Sequence, residues 1–203
     1  MTLQPPERIV LPAVVLRQAR VEDAALLAAA VAANLDHLVP WMPWASAATA
    51  TVQSQRQRLA DVQVRWEQGT AFEYLAVSPA TGEHLGNFGL ERRAGPGALD
   101  IGYWLAGAAT GHGYATAAAR ALTDIALGLP GIERVEIHCD QANRASRRIP
   151  ERLGYQLDRI VPHEVTAPGE SGQRMIWVYP PAVRATSGRA DPETTSGART
   201  GPQ

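Results

Sequence analysis

Residues 101–116 read Ile-Gly-Tyr-Trp-Leu-Ala-Gly-Ala-Ala-Thr-Gly-His-Gly-Tyr-Ala-Thr, and this run decides the fold. Its first five positions alternate as a strand does, and Gly111 and Gly113 then flank one residue directly before an alanine-rich stretch with helical spacing. A strand that feeds a helix through two glycines can hold an anion. Glycine lets the backbone approach closely, and the unsatisfied N–H groups of a helix's first turn present the positive end of its dipole. The N–H groups of Gly111, His112, Gly113, Tyr114 and Ala115 are therefore candidate donors to the phosphates of a cofactor. The same pattern also fits a plain strand-to-helix turn.

Downstream, the helix from Gly113 runs to Leu127 through Ala118/Ala119, Leu122 and Ala126, and ends near Gly128 and Pro130. A strand follows over Arg134–Cys139, and Asn143-Arg144-Ala145-Ser146 opens a short helix that Gly154 closes. Strands are expected over 157–161 and 174–179. Upstream, 72–77, 85–92 and 99–105 form a meander with turns at Pro79-Ala80-Thr81-Gly82 and Ala94-Gly95-Pro96-Gly97. Before it come a strand over 14–18, a helix that runs on to Leu38, a stiff Trp41-Met42-Pro43-Trp44 connector and a second helix ending at Gly69. From Arg184 onward Gly, Ser, Thr, Pro and Ala dominate, so burial cannot offset ordering entropy.

This order of elements resembles the GCN5-related N-acetyltransferase (GNAT) family over about residues 13–183. Gly102-Tyr103-Trp104-Leu105, Gly111-His112-Gly113-Tyr114-Ala115-Thr116, Asn143-x-x-Ser146 and Leu153-Gly154-Tyr155 are similar to its RimJ/RimL-like branch, which acetylates ribosomal-protein N termini and assorted small amines. The resemblance implies an α/β fold, with a mixed, mostly antiparallel sheet of about seven strands flanked by about four helices. Residues 1–12 then read as an N-terminal extension, 13–183 as the acetyltransferase domain and 184–203 as a disordered tail. It also implies acetyl-CoA as cosubstrate, no metal, and direct attack on the thioester by a primary amine, either a peptide N terminus or a small molecule. A non-catalytic acyl-CoA-binding or regulatory module is the alternative from a different class.

Composition narrows the field. The chain has 203 residues, 45% hydrophobic and 19% charged, which suits one domain with a sizeable core. All 19 cationic side chains are arginine. Without lysine there is no P-loop contact to a β- or γ-phosphate and no Schiff base. A Rossmann fingerprint would want a small residue at Thr116 and a single βαβ unit, whereas here the loop follows an all-β stretch. Net charge of −1 gives no footprint for nucleic acid or an anionic membrane. The start Met1-Thr2-Leu3-Gln4-Pro5-Pro6 shows no export pattern, so a cytoplasmic protein, monomer or homodimer, is expected. Cys139 is the one cysteine and shares a strand face with Val135 and Ile137, which reads as a buried thiol rather than a nucleophile.

The resemblance assigns further residues. The backbone of Trp104, Leu105 and Ala106 would pair with the pantetheine arm, and an N–H there would polarise the thioester carbonyl. Asn143, by its spacing a helix N-cap, would also line that arm, and Ser146 would donate to the departing thiolate. Trp41 and Trp44 would wall the acceptor groove. Pro150, four residues after Ser146, removes one helical hydrogen bond and is expected to bend the helix there, at about 3 kcal/mol if unrelieved. For the base, Glu73, Asp100, Glu136, His138 and Glu164 are the candidates; Glu164 is chosen because relatives keep a carboxylate in that segment.

Overall fold

The computed structural model describes residues 3–179, so the tail expected over 184–203 lies outside the described residues. Eight strands form one sheet: β1 (Arg8–Val10), β2 (Val15–Gln18), β3 (Ala71–Val77), β4 (His84–Glu91), β5 (Ala98–Leu105), β6 (Arg134–Asp140), β7 (Gln156–Pro162) and β8 (Gln173–Tyr179). Their order is β1-β2-β3-β4-β5-β6-β8-β7. All neighbours are antiparallel except β5 and β6. The helices are α1 (Ala24–Ala33), α2 (Leu35–Leu38), α3 (Val52–Glu67), α4 (Tyr114–Gly128) and α5 (Arg144–Leu153).

One sheet face carries Phe72, Tyr74, Phe88, Leu90, Ile101 and Ile137 against α4 and α5. The fully buried Ala118 and Ala119 let α4 sit close to the strands. The opposite face is covered at one end by α1 and α3, where Leu27 and Leu59 pack on Leu75. The rest of that face carries glycines and polar side chains and borders the site.

Two elements differ from the sequence reading. The segment read as an N-terminal extension supplies β1, buries Leu3 and receives a 2.9 Å hydrogen bond from the Tyr74 hydroxyl at the Pro6 carbonyl. A three-residue strand is too short to show a period. The first helix, expected to run unbroken to Leu38, is interrupted at Asn34 (φ −122°, ψ 15°). There the side-chain amide donates to the Ala30 carbonyl and its oxygen accepts from the Gly107 N–H, each at 2.8 Å. That clamp joins the α1–α2 corner to the end of β5, a contact 73 residues apart in sequence.

Candidate active site

The parallel β5–β6 ladder has only three rungs, Ala98↔Arg134, Leu99↔Val135 and Asp100↔Glu136. Beyond them β5 stays paired with β4 up to Leu105 and β6 stays paired with β8 up to Asp140, so the sheet opens as a wedge. A cleft of about 780 Å3 occupies the opening. Of the residues expected at the site, Trp41, Trp44, Trp104, Asn143 and Ser146 line it. Leu105, Ala106 and the glycine loop are not part of that lining; they continue from the same strand toward the start of α4.

At the loop, Gly111 and Gly113 sit in the left-handed region with φ of 80° and 81°, and a Cβ on either would meet no protein atom. Gly113 is the residue before α4 and supplies no side-chain cap. Among the described residues, none of the six consecutive N–H groups from Gly111 to Thr116 has a partner. Helix first turns always leave donors free, but six in a row beside two bare glycines form an open cradle for an anion.

The end of β5 is more selective than expected. The Ala106 N–H is bound to the Leu85 carbonyl at 2.9 Å, and its own carbonyl accepts from Ala109 at 2.8 Å. Both backbone groups of Ala106 are thus engaged within the protein, its carbonyl keeping one lone pair free. The Trp104 carbonyl points at Gly86, whose missing side chain makes room for it. Alternation along the strand then turns the N–H and C=O of Leu105 toward the open wedge.

Asn143 is the N-cap of α5, its side chain accepting from the Ser146 N–H at 3.0 Å, while it also lines the cleft. Pro150 lies inside α5 and the helix continues through it to Leu153. The carbonyl that proline leaves without a helical donor is that of Ser146, and the Tyr103 hydroxyl on β5 contacts it at 3.2 Å and the Ser146 Oγ at 3.1 Å. The cost expected of the proline is thus relieved by a side chain from the opposite wall of the wedge. Cys139 is buried beside Ser146, and burial pushes its thiol up to about 11. It remains a thiol at neutral pH.

Glu164 is exposed and does not line the cleft. The loop 163–172 turns His163 and Glu170 inward instead. Asp140 organises that loop, accepting from the Ala142 N–H, from the Ser171 N–H and hydroxyl, and from His163 Nε2 at 3.1 Å. The same loop touches the α2–α3 connector, where Gly169 N–H donates to the Pro40 carbonyl at 2.8 Å. Desolvation raises the Asp140 carboxyl, but the hydrogen bonds outweigh it and hold the group at about 2. A depressed carboxylate stabilises the fold above its unfolded value near 3.9 and loses that contribution as pH falls toward 2. Acid titration of stability should therefore show about 2 kcal/mol of pH dependence between pH 4 and 2 that Asp140→Asn lacks; equal slopes for both proteins would reject the role given to Asp140.

The profile of the Acetyltransferase (GNAT) domain family matches residues 13–156, well over half of the chain. The chain belongs to this family. No curated protein sequence matches it. Among solved structures, ribosomal-protein-S5-alanine acetyltransferase from Vibrio fischeri superposes with a TM-score of 0.78 at 20% identity, over 87% of this chain and 97% of its own. Mycobacterium smegmatis RimJ, in complex with CoA-disulfide, gives 0.74 at 22%, over 88% and 85%. The microcin C7 self-immunity acetyltransferase MccE, in complex with acetyl-CoA and AMP, gives 0.76 at 19%, over 86% and 96%. At these identities the likeness is one of fold. Together with the family profile it agrees with the α/β architecture read from the sequence, with eight strands where about seven were expected. The wedge, the glycine loop and Asn143-x-x-Ser146 are this GNAT domain's own features, described above on its own atoms.

Proposed function

We propose that this acetyltransferase moves the acetyl group of acetyl-CoA to a primary amine, in the manner of the RimJ/RimL-like branch, with a peptide N terminus as the leading acceptor and a small amine as the second. The observation that carries the reading is the row of six unpartnered N–H groups from Gly111 to Thr116, opening beside a split sheet. Pyrophosphate suits that row because neutral backbone donors and a helix N-terminus recognise it without a lysine. From there the Leu105 N–H and C=O point into the wedge, the direction a pantetheine arm would take to reach Ser146. A backbone donor such as Leu105 N–H aimed at the thioester oxygen would contribute about 2.7–4 kcal/mol to catalysis.

The acceptor side is the cleft over Gly89 and Gly102, walled by Trp41 and Trp44 and open enough for a chain end. Trp44 is 39% exposed and lies 6.3 Å from Trp104 across that opening. The reading as a non-catalytic module is favoured by the proline in α5 and by the open question of the base, and the Tyr103 contact to Ser146 speaks against the first of these. The test has two stages. Acetyl-CoA should raise the melting temperature, with about 2.7 kcal/mol of added stability at 100 times Kd, while NAD and ATP should not. Thiol release should then follow addition of peptides with free N termini. A thermal shift with no thiol release from peptides or small amines would favour the binding module.

A further inference from the structure

We propose that His138 takes the proton from the acceptor amine, with Glu136 as its positioning residue. The proposal rests on the acetyl-transfer reading and names the base for it. On β6, Val135, Ile137 and Cys139 point into the core, so Glu136, His138 and Asp140 share the other face. Glu136 sits on the last rung of the β5–β6 ladder, and His138 is the next residue on that face, where the wedge begins. It lines the cleft.

Glu136 has a side chain only 3% exposed, and both of its oxygens are taken. Arg134 Nε donates to one and His138 Nε2 bonds the other, each at 2.7 Å. Burial raises this carboxyl, but the hydrogen bonds of Arg134 and His138, with the Arg134 charge, outweigh it and hold the group below its usual value. An ionised carboxylate only accepts, so the proton in the His138–Glu136 bond lies on Nε2, and neutral His138 keeps its lone pair on Nδ1. That nitrogen has no partner among the described residues and is not enclosed by them, on a side chain 21% exposed.

Three of the rival groups are spent or enclosed, while Glu170 lines the cleft with its hydrogen bonds all on Oε2. His163 makes the same kind of bond to Asp140, but its Nδ1 is enclosed without a partner, so it holds a loop rather than facing a substrate. Glu73 has one oxygen bonded by Asn87 and the other by Arg58. Asp100 is fully buried against Arg93. The charged groups around His138 are Glu136 and Asp140 on its own strand, Asp100 and Arg93 from the β5 side, Arg174 on β8, and His163 and Glu170 from the loop.

In the step assigned here, the acceptor ammonium gives one proton to Nδ1 and becomes a free amine. Its nitrogen forms the C–N bond to the thioester carbon, the C–S bond breaks, and the sulfur leaves with the proton shed by the attacking nitrogen, which Ser146 is placed to relay. Imidazolium then returns its proton to water, so amine, thioester, amide and thiol balance.

The test is the pH profile of kcat/KM for a peptide with a free N terminus, measured for the wild type, His138→Gln, Glu136→Gln and Glu136→Asp, with the acetyl-CoA thermal shift recorded for each. The wild type should rise with pH through a protonation step that His138→Gln lacks. The variant should lose about 10²–10⁴-fold at neutral pH, the deficit shrinking toward the amine's own pKa. Glu136→Gln should keep the step at a lower rate, and Glu136→Asp, which restores a carboxylate, should recover part of that rate; a purely structural role would give no such recovery. A wild-type profile in His138→Gln overturns the proposal. Should that variant fold poorly, His138→Ala assayed with added imidazole decides: recovered rate supports it, and no recovery overturns it. If wild type shows the thermal shift but acetylates no amine, acetyl transfer itself is wrong and this assignment falls with it.

Discussion

Gly113→Val is expected to abolish the rise in melting temperature that acetyl-CoA gives the wild type, while the unliganded fold loses only about 1–2 kcal/mol. The two effects separate because of what surrounds the residue. A Cβ at Gly113 meets no protein atom, so the cost to the fold is the left-handed backbone alone, at φ 81°. The same side chain would project at the start of α4, where the free N–H groups of Tyr114, Ala115 and Thr116 follow. Loss of the anion from that row should weaken binding by at least a factor of ten for each 1.4 kcal/mol forfeited. Gly82→Val is the control. Gly82 also has a left-handed φ, of 72°, and open space around its missing Cβ, but it lies in the β3–β4 turn. It should lose similar stability and keep the full acetyl-CoA shift. If Gly113→Val retained the shift, the glycine loop would be an ordinary turn and the phosphates would bind elsewhere.

Much of this domain can be read from the chain because its long elements each repeat one pattern. α4 keeps a helical period over fifteen residues, and the β3–β4–β5 meander is set off by turn residues at both ends. What escapes the sequence is what depends on distant partners. The break at Asn34 is decided by the Gly107 N–H, and nothing near Asn34 announces it. The resemblance points to a carboxylate in the segment after β7 but cannot say which side of the loop faces inward. His163 is pulled in by Asp140, 23 residues earlier, and Glu164 is thereby turned out. His138 was more accessible to reasoning. Strict alternation from Val135 to Asp140 already places it with Glu136 on the non-core face, and only the β5–β6 splay, a tertiary feature, shows that this face opens into a cleft.

The clearest case is Pro150, because the sequence gives the problem and the structure gives its solution on another element. Tyr103→Phe removes the hydroxyl that contacts the Ser146 carbonyl at 3.2 Å, in a setting where burial has already raised the phenol above its ordinary value. A half-buried carbonyl left without a donor costs up to about 1–3 kcal/mol, so the variant should be destabilised within that range. It should also turn over more slowly, since the Ser146 Oγ loses its 3.1 Å partner and is no longer fixed beside the wedge. Pro150→Ala provides the check. Alanine restores an N–H four residues after Ser146, so the carbonyl regains a helical partner and the need for Tyr103 falls. In a double-mutant cycle, Tyr103→Phe should then cost less stability in the Pro150→Ala background than in the wild type, with a coupling of about 0.5–3 kcal/mol. Additive losses would mean that the tyrosine and the proline act independently. The kinetic arm distinguishes position from stability: if Pro150→Ala/Tyr103→Phe regains stability but keeps a reduced kcat, the hydroxyl is needed at Oγ itself as well as at the carbonyl.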